Sequence, residues 1–221
     1  MTVSYPGESE AYRTARKTLL QAELDLRAQI ENVAALRRSL PAGGSLATDY
    51  VFHGLDGQST AFSSLFQDKK PALAVYSLMY GPDDAAPCPM CCSMLDGLNG
   101  QALHISQRIG LVVVAAAKPE QLSQLATERG WTNLRLLSAG GTTYQRDYFA
   151  ETNDGGQLPM MNIFRRDGSD IRHFWGSESF FADVQGQPRH IDQLWPLWNM
   201  FDLTPDGRGE DWFPALDYTQ T

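Results

Sequence analysis

The stretch ALAVYSLMYGPDDAAPCPMCC, residues 72–92, joins a continuous apolar run to a group of cysteines. An unbroken apolar run is typical of a strand that is buried on both faces of a sheet. The chain has 3 cysteines, and all of them, Cys88, Cys91 and Cys92, lie together at the start of a helical pattern. Two thiols at Cys-x-x-Cys spacing indicate redox chemistry or metal binding.

Apolar periodicity and turn residues predict further strands and helices on both sides of this stretch. We predict strands at 50–52, 72–80, 111–116 and 134–137, helices at 88–109 and 119–129, a hairpin of 160–165 with 171–175, and a helix at 191–200 that Pro196 kinks or shortens. This order predicts an α/β domain with a mixed sheet. The cysteines follow a buried strand at its carboxyl end, where open α/β sheets place their sites.

Two extensions flank the predicted domain. A narrow apolar stripe predicts one long helix over about 9–40, which either packs on its own domain or forms the arm of a homodimer. The residues after Leu203 are rich in Pro, Gly and Asp, with Trp212, Phe213 and Tyr218 as aromatic anchors. The predicted divisions are therefore a helical extension at 1–45, a domain at 46–200, and a tail at 201–221 packed on that domain.

Composition restricts the partners and the compartment. The chain has 221 residues and a formal net charge of −8, without a basic patch, which argues against nucleic acid as a partner. No segment approaches the roughly 20 consecutive apolar residues of a membrane span. The first eight residues lack the basic and apolar regions of a signal peptide. Together with the clustered thiols, this pattern predicts a reducing cytoplasm.

The helical pattern assigns different roles to the cysteines. Leu95, Leu98, Ala102, Ile105 and Ile109 form one apolar stripe, and Cys91 lies at its centre when the stripe is extended backwards. Cys88 lies at the helix start, where backbone N–H groups are free, so we predict that it is the exposed nucleophile and that Cys91 is a half-buried resolving thiol. Cys92 is a candidate secondary thiol on the flank of the stripe.

The acidity of Cys88 can also be predicted. The helix dipole is worth about 0.3–1 kcal/mol to an anion at a surface, which is less than one pKa unit. No Lys, Arg or His lies between Tyr80 and Asn99, and Asp83 and Asp84 oppose ionisation if they are close. We therefore expect a modestly lowered pKa, which suits a reductant or a balanced exchanger better than a strong oxidant.

Other interpretations of the cysteines fit less well. An inert cluster does not require exchange spacing at the end of a buried strand. A structural zinc site needs four ligands, which one tight turn rarely supplies, and His104 lies on the helix face opposite the stripe. Thiol peroxidases place Thr or Ser three residues before the reactive Cys and Pro four residues earlier, whereas Ala85 and Gly81 stand at those positions. We predict no metal and no cofactor.

These features resemble the thioredoxin superfamily. The resemblance rests on the buried strand, on Cys88-Pro89-Met90-Cys91 with its helix, and on Leu158-Pro159 before the strand at 160–164. The wider chain resembles one bacterial branch, which is catalogued as a domain of unknown function and as predicted dithiol-disulfide oxidoreductases. The resembling pieces are Ala15-Arg16-Lys17-Thr18-Leu19-Leu20, Leu36-Arg37-Arg38-Ser39-Leu40-Pro41, Tyr50-Val51-Phe52, Asp56-Gly57, Ser64-Leu65-Phe66, Met79-Tyr80-Gly81-Pro82, Gly130-Trp131, Asp167-Gly168 and Asp202-Leu203-Thr204-Pro205-Asp206-Gly207-Arg208.

The resemblance implies a thioredoxin-like sandwich, with a central mixed sheet flanked by helices, a long N-terminal helix and an aromatic-rich C-terminal extension. It implies that Pro159 stands at the position of the cis proline that precedes the strand facing the dithiol in such folds, although an X-Pro bond is usually trans. It also implies that Pro89, Met90, Leu158 and Pro159 line a substrate groove. The buried carboxylate that assists exchange in thioredoxin has no counterpart at 72–79. Candidate proton acceptors are therefore Asp83, Asp84 or water.

Two functions of different classes follow. The first is a thiol-disulfide oxidoreductase that acts on a disulfide-containing protein or a small thiol, with Cys88 as nucleophile and Cys91 as resolving thiol. The second is a non-catalytic thioredoxin-like module for redox sensing or protein binding. If Trp212 or Tyr218 covers the dithiol, small oxidants become the expected substrates.

Overall fold

The computed structural model describes residues 3–67, 69–183, 191–209 and 211–218. The chain divides into two compact units, Met1–Pro41 and Ala42–Thr221. Within the described residues, no helix combines the length and the apolar character that a membrane crossing requires. The residues that follow Leu203 belong to the second unit.

The first unit is built around α1, Glu10–Arg38. Its start is fixed by Ser9, whose Oγ accepts a hydrogen bond from the Tyr12 backbone N–H at 3.1 Å, the typical N-cap arrangement. The Glu8 carboxylate pairs with the guanidinium groups of Arg13 and Arg16. None of the residues of α1 is buried. The proposed use of this helix as a dimer arm stays a prediction.

The second unit alternates strands and helices. Its strands and α-helices are β1 (Val51–Gly54), β2 (Ser59–Ala61), β3 (Ala72–Ser77), α2 (Pro89–Ile105), β4 (Gly110–Ala115), α3 (Pro119–Arg129), β5 (Leu136–Ser138), α4 (Tyr144–Asp147), β6 (Met160–Asp167), β7 (Asp170–Gly176) and α5 (Pro196–Asp202). Short 3-10 helices lie at Phe62–Leu65, Glu178–Phe181 and Asp192–Leu194.

The strands form one mixed sheet in the order β2-β1-β5-β4-β3-β6-β7. The central strand β3 pairs in parallel with β4, which pairs in parallel with β5. Strand β6 lies antiparallel to β3 on its other side and continues into the β6–β7 hairpin. Because β3 is central and covered on both faces, its apolar run is buried almost throughout, as the sequence predicts.

Each face of the sheet carries its own core. On one face, α2, α3 and α5 pack against alternate residues of the central strands, including Ala74, Tyr76 and Leu78. On the other face, the intervening residues Leu73 and Val75 pack with an aromatic cluster from β1, the first 3-10 helix, α4 and β6. This α/β sandwich confirms the predicted fold class, and it places the cysteines on the face that α2 covers.

Several predicted boundaries are wrong in detail. The cysteine helix begins at Pro89 and ends at Ile105, short of the predicted residue 109, because Gly110 already pairs with Leu73 as the first residue of β4. Strand β5 starts two residues later than predicted. Of the two predicted effects of Pro196, the structure shows the shorter helix and no kink: α5 begins at Pro196, where the missing N–H costs no hydrogen bond.

Candidate active site

The cysteines lie where β3 gives way to α2. After β3, the loop at 81–87 is closed by the Asp84 carboxylate, whose Oδ2 accepts a hydrogen bond from the Gly81 N–H at 2.6 Å. The Cys88 N–H then donates to the Met79 carbonyl oxygen at 3.0 Å. Cys88 is the N-cap of α2, with extended backbone dihedrals, and Pro89 is the first residue of the helix. This arrangement fixes Cys88 at the helix N-terminus.

The three thiols differ in exposure. Cys88 is half-buried and free of any disulfide. Cys91 is 3% exposed and Cys92 is 0% exposed, so both belong to the core beneath α2. Cys88, at the start of the helix, is therefore the most accessible of the three thiols, although it is half-buried and not fully exposed as predicted. Cys91 is more deeply buried than the sequence suggests, and Cys92 is not on an open flank, because α3 packs there as well.

The surroundings of Cys88 favour its thiolate. A hydrogen bond from the Cys91 thiol is the main cause that lowers the pKa of Cys88 from 9.0 to about 6, while burial opposes the change. The backbone N–H groups of Cys91 and Met90 contribute in the same direction, although the sulfur makes no regular capping hydrogen bond. The pKa of Cys88 is therefore lower than the value that the helix dipole alone predicts. The sequence does not reveal that the Cys91 thiol interacts with the Cys88 thiolate.

The pKa of Cys91 moves the opposite way. Its hydrogen bond to Cys88 and its burial raise the pKa of this thiol well above 9.0. Two groups act against that rise, namely the Tyr76 hydroxyl and the Met79 backbone N–H. At neutral pH the pair therefore holds one thiolate, on Cys88, and one thiol, on Cys91.

Cys92 has a different environment. Burial raises its pKa to about 12, and the charges of Arg129 and Asp96 act on it in opposite directions. Arg129 and Asp96 form an ion pair, and Asp96 Oδ1 also accepts a hydrogen bond from the buried Trp131 indole at 2.8 Å. Asp96 thus links α2 to the C-terminal end of α3. A thiol this buried and this weakly acidic is a poor nucleophile.

The residues of the predicted substrate groove lie at the start of the cysteine helix and directly before the strand β6. Pro89, Met90, Leu158 and Pro159 are all half-buried. Pro159 directly precedes Met160, which pairs with Ser77 at the end of β3, so it lies beside the strand that leads to the cysteines. Among the described residues no peptide bond is cis, the Leu158–Pro159 bond included, so the expected cis proline is not found.

Sequence reasoning missed two side chains near the site. Tyr76 on β3 projects onto the α2 face of the sheet, and its hydroxyl acts on the pKa of Cys91. Trp195 reaches α2 through a hydrogen bond from its indole N–H to Ser93 Oγ at 3.2 Å. By contrast, the Trp212 ring packs on Trp198 and Phe201 of α5. Within the described residues, no three His, Cys, Asp or Glu side chains are placed to hold a metal ion.

Solved structures show the same fold at low sequence identity. The chain is similar to peroxidoxin BcpB from Mycobacterium tuberculosis (13% identity, 70% of this chain and 94% of that chain, TM-score 0.50). It is also similar to peroxiredoxin Q from Xanthomonas campestris (12% identity, 69% and 92%, TM-score 0.50). The thioredoxin Etrx1 from Streptococcus pneumoniae strain TIGR4 matches with 13% identity over 66% and 96%, at a TM-score of 0.42. At this identity, the likeness to the first two structures shows the fold alone, which is thioredoxin-like.

No curated protein matches the sequence. The sequence pattern of one family, described as bacterial protein of unknown function (DUF899), matches residues 2–219. That match spans nearly the whole chain, including both units and all three cysteines. Together with the thioredoxin-like sandwich, it identifies the chain as a member of the DUF899 family of bacterial proteins of unknown function.

Proposed function

We propose that this protein is a thiol-disulfide oxidoreductase in which Cys88 is the nucleophile and Cys91 the resolving thiol. The observation that carries the proposal is the position of the half-buried Cys88 at the N-terminus of α2, three residues before the buried Cys91. The Cys91 thiol there lowers the pKa of Cys88 to about 6. With that pKa, roughly nine-tenths of Cys88 is thiolate at pH 7. The thiolate is the form that attacks a disulfide.

The proposed reaction has two exchange steps. The Cys88 thiolate attacks one sulfur of a substrate disulfide, which forms a mixed disulfide and releases the other substrate sulfur as a thiolate. Cys91 then loses its proton and attacks the Cys88 sulfur, which forms the Cys88–Cys91 disulfide and releases the second substrate sulfur. The substrate disulfide is thereby reduced to two thiols, the protein dithiol is oxidised, and an external thiol reductant restores it.

Attack at Cys88 requires access to a half-buried thiol. Pro89, Met90, Leu158 and Pro159 remain the candidates for the groove that receives the substrate, since all are half-buried and Pro159 flanks the end of β3. A disulfide in a protein or a small molecule fits the proposal equally well.

The test combines a turnover assay with trapping. Wild type should accelerate the reduction of insulin disulfides by dithiothreitol, Cys88→Ser should abolish this acceleration, and Cys91→Ser should accumulate a mixed disulfide with insulin. Cys92→Ser is the matched control, because it changes a thiol that is fully buried. Full turnover by Cys91→Ser without any trapped species would contradict the assigned roles.

The same assay separates the alternatives. A redox-sensing or protein-binding module would form the Cys88–Cys91 disulfide without accelerating insulin reduction. A peroxidase would consume hydrogen peroxide in a Cys88-dependent reaction and leave insulin unaffected. Either outcome would replace the proposed exchange function.

A further inference from the structure

Tyr76 is a buried residue whose polar group has no structural use. Its ring is 1% exposed, and it lies in the core between the sheet and α2, together with Cys91 and Cys92. Its hydroxyl has no hydrogen-bond partner of regular geometry among the described residues. A phenylalanine would fill the same space without burying an unpartnered hydroxyl, so the hydroxyl costs stability where it stands.

The position of this hydroxyl relates it to one thiol in particular. Along β3, successive side chains lie on opposite faces of the sheet. Tyr76 therefore shares with Ala74 the face that α2 covers. The thiols of α2 add to the effect of burial in raising the pKa of Tyr76, and Cys91 contributes more than Cys88 or Cys92. Strand β3 carries no carboxylate, since it reads Ala-Leu-Ala-Val-Tyr-Ser.

We propose that the Tyr76 hydroxyl donates a hydrogen bond to the Cys91 sulfur when Cys91 becomes a thiolate, and that it thereby promotes the resolution of the mixed disulfide. This inference rests on the proposed exchange function and names a further catalytic group for it. Tyr76 cannot be the base, because burial raises the pKa of its hydroxyl well above 10.0 and keeps it protonated.

Resolution replaces the mixed disulfide by the Cys88–Cys91 disulfide and moves one proton. In the mixed disulfide, the Cys88 sulfur is bonded to the substrate sulfur. Cys88 is then no longer a thiolate that accepts a hydrogen bond from Cys91. Cys91 first gives up its proton to solvent, and its thiolate then attacks the Cys88 sulfur while the substrate sulfur departs as a thiolate. The bond between Cys88 and the substrate breaks, and Tyr76 keeps its proton throughout.

The charged and titratable groups around the step are few. Cys91 interacts with Cys88 on its own helix and with Tyr76 on β3, and the Met79 backbone N–H is the other donor toward its sulfur. Tyr76 interacts with the three thiols. Arg129 and Asp96 act on Cys92. In the mixed disulfide Cys88 no longer titrates. With Cys92 replaced by serine, Tyr76 is then the titratable side chain that acts on the pKa of Cys91.

The experiment uses a chromogenic aromatic disulfide, dithiobis(nitrobenzoate), with the full chain carrying Cys92→Ser. Attack by Cys88 releases one coloured thiolate, and resolution by Cys91 releases the second, so stopped-flow absorbance separates the two steps. Tyr76→Phe should leave the first phase unchanged. It should raise the pH midpoint of the second phase by about one unit or more, because a thiolate loses a charge-assisted hydrogen bond.

The rate at pH 7 should fall less than the thiolate fraction does. A thiolate of higher pKa is also more nucleophilic, so a roughly tenfold smaller thiolate fraction slows the second phase by only about threefold to fourfold. Tyr144→Phe is the matched control, because Tyr144 is also buried with an unpartnered hydroxyl but lies in the core on the other face of the sheet. It should change neither phase.

The outcomes distinguish this inference from the function on which it rests. If the parent protein releases no second thiolate, the exchange function fails. If the parent does release it and Tyr76→Phe shows the same pH midpoint, the role of Tyr76 is refuted. A Tyr76→Phe variant that does not fold would also refute it, because the hydroxyl would then be structural.

Discussion

Replacing Cys91 by alanine in a Cys92→Ser background tests what makes Cys88 acidic. The hydrogen bond from the Cys91 thiol is the main cause that lowers the pKa of Cys88 to about 6. Without that thiol, the free amides at the start of α2 remain, and they are worth about 0.3–1 kcal/mol, or less than one pKa unit. Burial of Cys88 opposes them. We therefore expect the pKa of Cys88 to return to about 8 or above.

The assay is the rate of alkylation of Cys88 by iodoacetamide as a function of pH, checked against the ultraviolet absorbance of the thiolate. The thiolate fraction at pH 7 should fall from roughly nine-tenths to roughly one-tenth or less. Cys91→Ser is the matched control, because its hydroxyl can still donate a hydrogen bond, and it should give a pKa between those of the parent and the alanine variant. A Cys91→Ala variant whose Cys88 still titrates near 6 would refute this account of its acidity.

Three further predictions concern the surroundings of the site. Native Cys92 should resist iodoacetamide at pH 7 and react only after unfolding, as measured by mass spectrometry, because it is fully buried and its pKa is about 12. Burial lowers the pKa of His173 below 6.5, so the unfolded chain binds more protons and the free energy of unfolding should fall as the pH drops below 6.5. Urea titrations should show that His173→Gln loses this part of the pH dependence. Asp96→Ala should lower the free energy of unfolding by about 1–3 kcal/mol, because the buried Trp131 indole loses its acceptor, whereas Asp96→Asn should cost less because an amide oxygen can replace it. Equal losses for these two variants in urea unfolding would contradict that explanation.

The order of strands and helices can be predicted from the sequence because its strongest signals are local. The apolar run of β3, the glycine that begins β4 and the Asp167-Gly168 turn of the β6–β7 hairpin each mark an element without reference to the rest of the chain. The N-cap position of Cys88 follows from the same local pattern. Helix ends are harder to predict, because where α2 stops depends on the pairing of Gly110 with Leu73, which is a tertiary contact.

The chemistry of the site depends on contacts that the sequence pattern does not contain. Alternation along β3 separates Tyr76 from Val75, but it cannot say which face α2 covers, so the meeting of Tyr76 and Cys91 is not predictable. The helical stripe ranks Cys91 above Cys92, but both are buried in the core that α2 shares with the sheet, α3 and α5. The predicted pKa of Cys88 is too high because it counts the helix dipole and omits the hydrogen bond from Cys91.

The central claim is that Cys88 and Cys91 form a working dithiol-disulfide couple. A glutathione redox titration of the Cys92→Ser protein, read by the mass of the alkylated species, tests this claim most directly. The account predicts one reversible two-electron transition at roughly −200 to −300 mV, with the Cys88–Cys91 disulfide as the oxidised product. Failure to form that disulfide at any ratio of oxidised to reduced glutathione would contradict the claim.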